Sequence, residues 1–245
     1  YRRRPDHEVF RLGDGSFFTG YVPEQRALAM EFGHAAAFTE DEHKWVEPTA
    51  WPWGPLPDKR LYDPQARARL PLTRWFDGIG VLIARGGWGP DDSFVWFKAG
   101  NNYWSHTQLD VGHFDIYKGG ALAIDSGLNY GVDYGHDHHM NYSYQSIAHN
   151  VITVTDPRDT VPQPGQRPRP VANDGGQRRI GSGWGKSAPM SLTEWQADRD
   201  TYVTARVLGR QQLGDIELIS ADLSSAFNNS KSGSGDFSAR TRRVE

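Results

Sequence analysis

The 245-residue chain contains no cysteine. That excludes a disulfide scaffold, thiolate metal ligands and a cysteine nucleophile, and leaves the compartment open. Long apolar runs are missing too: none approaches the roughly 20 residues of a membrane span. No signal-peptide h-region follows the opening Tyr1-Arg2-Arg3-Arg4-Pro5. Excess charge of one sign is small, with 27 basic and 30 acidic residues and a net charge of −3, so nothing points to general affinity for nucleic acid or anionic membranes. There is no Gly-x-Ser-x-Gly elbow, no Walker loop and no His-Glu-x-x-His, which removes several common hydrolytic and nucleotide-binding chemistries.

What is abundant is aromatic and loop-forming. With 9 Trp, 10 Tyr, 11 Phe, 27 Gly and 15 Pro, the composition reads as strands and loops rather than a helical bundle. Residues 1–75 differ from the rest. A helical spacing of Ala27, Leu28, Met30, Phe32 and Ala35 follows Pro23, and Trp51-Pro52-Trp53-Gly54-Pro55-Leu56-Pro57 has too many prolines for helix or central strand. These residues read as a linker with a residual helical segment, and residues 76–245 as a β-sandwich domain. Period-two patterning starts near Leu70 and predicts strands over 80–85, 93–98, 113–117, 121–125, 147–155, 201–208 and 215–223. The 121–125 strand is expected to be buried, and 157–190, rich in Pro, Gly, Arg and Gln, to be a long irregular excursion. Many short strands with turns between them predict an all-β antiparallel sandwich. The opening without Met and the closing Ser238-Ala239-Arg240-Thr241-Arg242-Arg243-Val244-Glu245 read as cuts in a longer protein.

Six of the nine histidines lie between His106 and His149. Gln108, Asp125 and His149 fall at or beside the edges of separate predicted strands, and sheet pairing at about 4.8 Å can bring such edges together. One imidazole, one carboxylate and one amide oxygen would make a weak divalent-cation site. Spacing alone favours the plainer alternative, in which Asp125 caps the turn at Ser126-Gly127 and His149 is a satisfied core histidine. The cluster His136-Asp137-His138-His139 could bind metal, but a surface turn is at least as common for such a run.

Four ordered blocks then narrow the choice: His106, Asp110, Gly112 and Phe114; Leu122, Ala123, Asp125 and Gly127; Asn141 and Tyr142; and Ala148, His149 and Asn150. Together they resemble the C-terminal β-sandwich domain of the heparinase II/III-like polysaccharide lyases. The resemblance implies β-elimination at a uronic acid, with His106 as base or carboxylate neutraliser and with Tyr130, Tyr134 and His139 lining the substrate cleft. It implies zinc on Gln108, Asp125 and His149; Gln108 departs from the histidine usual there, which weakens a zinc site or shifts it to a harder cation. It implies an acidic polysaccharide as partner, a periplasmic or secreted location, and a preceding helical toroid carrying a catalytic Tyr and an Asn or His. Residues 1–75 are too short for that toroid, so the chain is expected to hold an incomplete catalytic unit. Oligomeric state is left open. Two other readings compete: a non-catalytic carbohydrate-binding sandwich using Trp88, Trp96 and Trp104, and a metal-dependent hydrolase using His136, His138 and His139. Arg158, Arg167, Arg169, Arg178 and Arg179 could meet sulfates or carboxylates, although a solvated loop is the commoner fate of such a run.

Overall fold

The structure is a computed structural model that describes residues 65, 67–102, 107–127, 138–154, 161–163, 166–169, 174–177 and 188–227. The helical segment expected near residues 23–37, the Trp-Pro loop, His106, Tyr130, Tyr134, His136 and Trp104 lie outside the described residues. After a 3-10 turn at Arg67–Arg69, five strands form one antiparallel sheet in chain order: β1 Thr73–Phe76, β2 Val81–Arg85, β3 Phe94–Lys98, β4 Phe114–Tyr117 and β5 Ala121–Ala123. Two hairpins follow, β6 Val161–Gln163 with β7 Gln166–Arg169, and β8 Arg206–Leu213 with β9 Ile216–Asp222. Two short helices, α1 Leu192–Ala197 and α2 Arg199–Tyr202, precede β8. The described residues are thus mostly antiparallel sheet with few helices, the architecture of a β-sandwich fragment.

Alternation along the central strands sorts their side chains. Ile83 pairs with Trp96 and Trp96 with Asp115 across the ladder. That face carries the core of Val81, Ile83, Phe94, Trp96 and Tyr117, with Phe76 packed against it. The opposite face is apolar as well: Leu82, Phe97 and Phe114 line up across β2, β3 and β4. Such two-sided apolarity is what a sheet covered by other layers requires. The sheet closes tightly at one end, where a Cβ on Gly80, which has φ +64°, would stand 2.2 Å from Gly100 Cα. Only glycine allows the two backbones to approach so closely with that dihedral.

Three expectations need correction. The 147–155 run is not a strand. Ser146–Ala148 is a 3-10 turn, and the N–H groups beyond it go elsewhere, Asn150 to His113 and Val154 to Gly175 O. The strand expected from Thr201 begins at Arg206, because Thr201 and Tyr202 complete α2, where the Thr201 hydroxyl donates to Asp198 at 2.7 Å. β5 is an exposed edge rather than a buried strand: Leu122 is 68% and Ile124 48% accessible. Within the 157–190 excursion the described residues include the β6–β7 hairpin and a buried turn at 174–177.

Candidate active site

The four sequence blocks meet around the start of β4 and the turn after β5. From the first block, Leu109 N–H donates to Tyr144 O at 3.0 Å, and Leu109 O accepts the Ser146 hydroxyl at 2.5 Å. From the second, the Ser126 hydroxyl donates to Ala148 O at 2.6 Å and accepts from the Tyr142 hydroxyl of the third at 3.0 Å. From the fourth, the Asn150 side chain donates to Phe114 O at 2.8 Å and to Ile124 O at 3.1 Å. An irregular backbone is thereby satisfied by side chains where no ladder is available.

At the centre, His149 Nδ1 stands 3.0 Å from Asp125 Oδ1, with both side chains buried. The same oxygen accepts the Gly127 N–H at 2.8 Å. The turn cap that the sequence offered as the plainer alternative to a cation site is present, and the same carboxylate contacts His149. Burial alone would raise the Asp125 carboxyl, but the hydrogen bond and charge of His149 outweigh it and leave the group below its ordinary value. Burial alone would lower His149, and Asp125 reverses this so that the imidazole is held above its ordinary value. The nearby charges of Asp110 and Lys98 act on it in opposite directions.

Behind this pair lies a second buried charge pair, Lys98 with Asp110, each side chain 1% accessible. Asn102 Nδ2 donates to Asp110 at 3.2 Å and to Gln108 O at 2.6 Å. Gln108 is itself buried. His139 is buried at the start of a π-turn, His139–Ser143, with its ring centroid 6.1 Å from that of Tyr144. His138 is exposed beside Tyr142, at 5.3 Å between rings. Trp96 is fully buried with Nε1 donating to Asp115, so it is core rather than a sugar platform. Trp88 is half-buried under the Arg85 guanidinium, 4.7 Å from the ring centroid. Sequence reasoning missed the Lys98–Asp110 pair and the parts played by His113 and Asn102. An Asp in the first block beside a lysine in an apolar strand was the available signal, since a lysine there must be paired.

Between β9 and the second face of the main sheet runs a groove of about 910 Å³, lined by Phe97, Phe114, Asn150, Ile219, Asp222 and Phe227 among others. Among the described residues its lining includes one carboxylate, Asp222, and the imidazole of His149.

No family model and no curated protein sequence matches the chain. Solved structures do. The chain is similar to a heparinase III determined with methylated lysines, with 18% identity and a TM-score of 0.52 over 93% of this chain and 27% of that one. It is also similar to the unmodified heparinase III gene product, with 17% identity and a TM-score of 0.51 over 90% and 26%. A mutant of the heparan sulfate lyase HepC from Pedobacter heparinus gives 15% identity and a TM-score of 0.50 over 91% and 27%. At such identities the likeness carries the fold alone, an antiparallel β-sandwich. The chain spans about a quarter of the length of these structures.

Among the described residues, no three His, Cys, Asp or Glu side chains gather into a metal-binding group. A cation on the ligand set implied by the resemblance would therefore need the Gln108 amide as its third donor. One feature favours it. His149 Nδ1 and Asp125 Oδ1 lie 3.0 Å apart, close enough to be two donors to one cation in place of the hydrogen bond between them. A cation on these donors would include one amide oxygen, which makes for a harder site than three nitrogen or sulfur ligands would.

Proposed function

We propose that this chain supplies the sandwich part of a polysaccharide lyase that cleaves uronic-acid-containing polymers by β-elimination. The observation that carries the reading is the convergence of the four motif blocks: they lie apart in sequence, yet hydrogen bonds tie each to another around the buried Asp125–His149 pair. In the proposed reaction a base takes the C5 proton, the electron pair forms a C4–C5 double bond, and the C4–oxygen bond breaks with the leaving oxygen protonated. The C5 proton beside an ionised carboxylate is weakly acidic, so the site must offset negative charge as it grows. His106 is the proposed base or carboxylate neutraliser, since an imidazole titrates near neutral pH without perturbation. Tyr130, Tyr134 and His139 are the proposed substrate contacts; for His139 this requires its ring to leave the burial seen here. A divalent cation held by Gln108, Asp125 and His149 would supply positive charge and stiffness behind the sugar. A polymeric acidic substrate implies a periplasmic or secreted protein, and among the described residues no helix is long and apolar enough to cross a membrane. The competing carbohydrate-binding reading is weakened by the burial of Trp96.

The test uses the gene's complete product on heparan sulfate, ulvan and alginate, following unsaturated uronate by ultraviolet absorbance. Turnover is expected on at least one polymer, and His106→Ala should lower it by about 100-fold or more while circular dichroism is unchanged. Wild-type turnover in His106→Ala removes His106 from the chemistry; no unsaturated product from any uronate polymer removes the lyase reading.

A further inference from the structure

His113 is fully buried and no step of the proposed reaction uses it. Both of its ring nitrogens are engaged. Nδ1 accepts the Asn150 N–H at 3.0 Å, and Nε2 lies 3.1 Å from Asp115 Oδ1. A nitrogen that accepts an N–H carries no proton, so the ring proton sits on Nε2 and is donated to Asp115. Asp115 is fixed in turn, its other oxygen accepting Trp96 Nε1–H at 2.6 Å. The Trp96 ring also packs on the imidazole, at 4.9 Å between centroids. Asn150 is consequently held at three points: its N–H by His113, and its side-chain amide by Phe114 O and Ile124 O. Ile124 directly precedes Asp125, and Asn150 directly follows His149. The clamp therefore joins the two backbone segments that carry the central pair, and the His149 ring meets the His113 ring edge-on at 5.5 Å.

We infer that His113 is a positioning residue, locked as the Nε2–H tautomer by Asp115 and Trp96, which fixes the Asn150 backbone and so sets His149 against Asp125. The order of dependence runs outward from the sheet: Trp96 orients the carboxylate, the carboxylate selects the tautomer, and the tautomer presents an acceptor to the one N–H that follows His149. The opposite tautomer would set an N–H against an N–H and break the clamp. Only the effect on turnover rests on the lyase reading; the geometry stands without it.

The inference is tested first by nitrogen-resolved NMR of histidine rings in the unmodified chain. A neutral His113 with its proton on Nε2 is expected; a proton on Nδ1, or on both nitrogens, overturns it. Two variants then separate the bonds. His113→Gln keeps an amide donor near the Nε2 position and loses the acceptor, so hydrogen exchange of the Asn150 N–H should rise about tenfold. His113→Asn places its carbonyl oxygen near the Nδ1 position and should keep exchange close to the wild-type rate. Equal acceleration in both variants overturns the positioning role, and if neither folds the tautomer measurement decides. In the complete product, His113→Gln should lower kcat with KM little changed, and His113→Asn should restore much of it. Absence of wild-type turnover together with the expected tautomer and exchange pattern would refute the lyase reading and leave the positioning role standing.

Discussion

At the scale of single residues, two buried charge pairs dominate the site and predict different behaviour. Lys98 and Asp110 are wholly removed from water and supported by Asn102. Removing one member strands the other, a loss of about 3–5 kcal/mol in comparable buried pairs. Lys98→Met should therefore lower unfolding stability by that amount in a urea titration, although it conserves volume. The Asp125–His149 pair should instead be read through pH in metal-free buffer. Asp125 has a folded value below its ordinary 3.8, so its contribution is present above that value and is lost as pH falls through the depressed one. His149 has a folded value above its ordinary 6.5, so its contribution is complete below 6.5 and is lost as pH rises through the raised one. The pair should stabilise most between pH 3.8 and 6.5 and less on either side. The checking measurement is the wild-type stability profile minus that of His149→Gln; a flat difference across this range and beyond would contradict the pairing.

At the scale of elements, the turn after β5 is as tightly specified as any strand. A Cβ on Gly127 would stand 2.7 Å from both His149 Cε1 and Ser143 O, and 3.1 Å from Asp125 Oδ1. Gly127→Ala should cost about 1–3 kcal/mol by overpacking, seen as a lower urea midpoint and a shifted His149 ring signal. The strands β2, β3 and β4 were legible because β2 is a run of bulky apolar residues and β3 and β4 alternate. The 147–155 segment has the same β-branched composition, yet its N–H groups are taken by His113 and by Gly175 O, so propensity lost to side-chain bonding. Thr201-Tyr202-Val203-Thr204 likewise reads as strand, while the bonds from Thr201 to Asp198 turn its first residues into helix. The start of α1 could have been read from its Ser-x-x-Glu spelling: Ser191 accepts Glu194 N–H at 3.1 Å, and the Glu194 carboxylate accepts the N–H of Met190, one residue before the cap, at 2.6 Å. Of the site, Asp125 and His149 were singled out in the sequence as residues at strand edges, and it was the resemblance of the four blocks, not their spacing, that raised them above a turn cap and a core histidine. His113 was not, because nothing in its spacing says which nitrogen carries the proton.

For the whole molecule, the length relation sets the expectation. The chain spans about a quarter of the heparinase structures it resembles in fold. On the proposed reading, a sandwich alone presents one side of a uronate site, so these 245 residues by themselves should release little or no unsaturated product. Strong activity of the isolated chain, measured by the same absorbance, would show that these residues hold a complete site. The β8–β9 hairpin is largely exposed, with Leu208 59%, Ile216 60% and Leu218 50% accessible. Its contribution to the rest runs through Leu223, Ala226 and Phe227, which pack with Val111 and Ala205.

The run from Trp96 through Asp115 and His113 to Asn150 has a consequence for how the protein can vary. Each member is chosen by its neighbour, so substitutions along it should be epistatic rather than independent. Once Asp115 is lost the tautomer is free, and a further change at Trp96 has little left to break. Among natural variants these positions should change as a group, while the exposed residues of β8 drift one at a time.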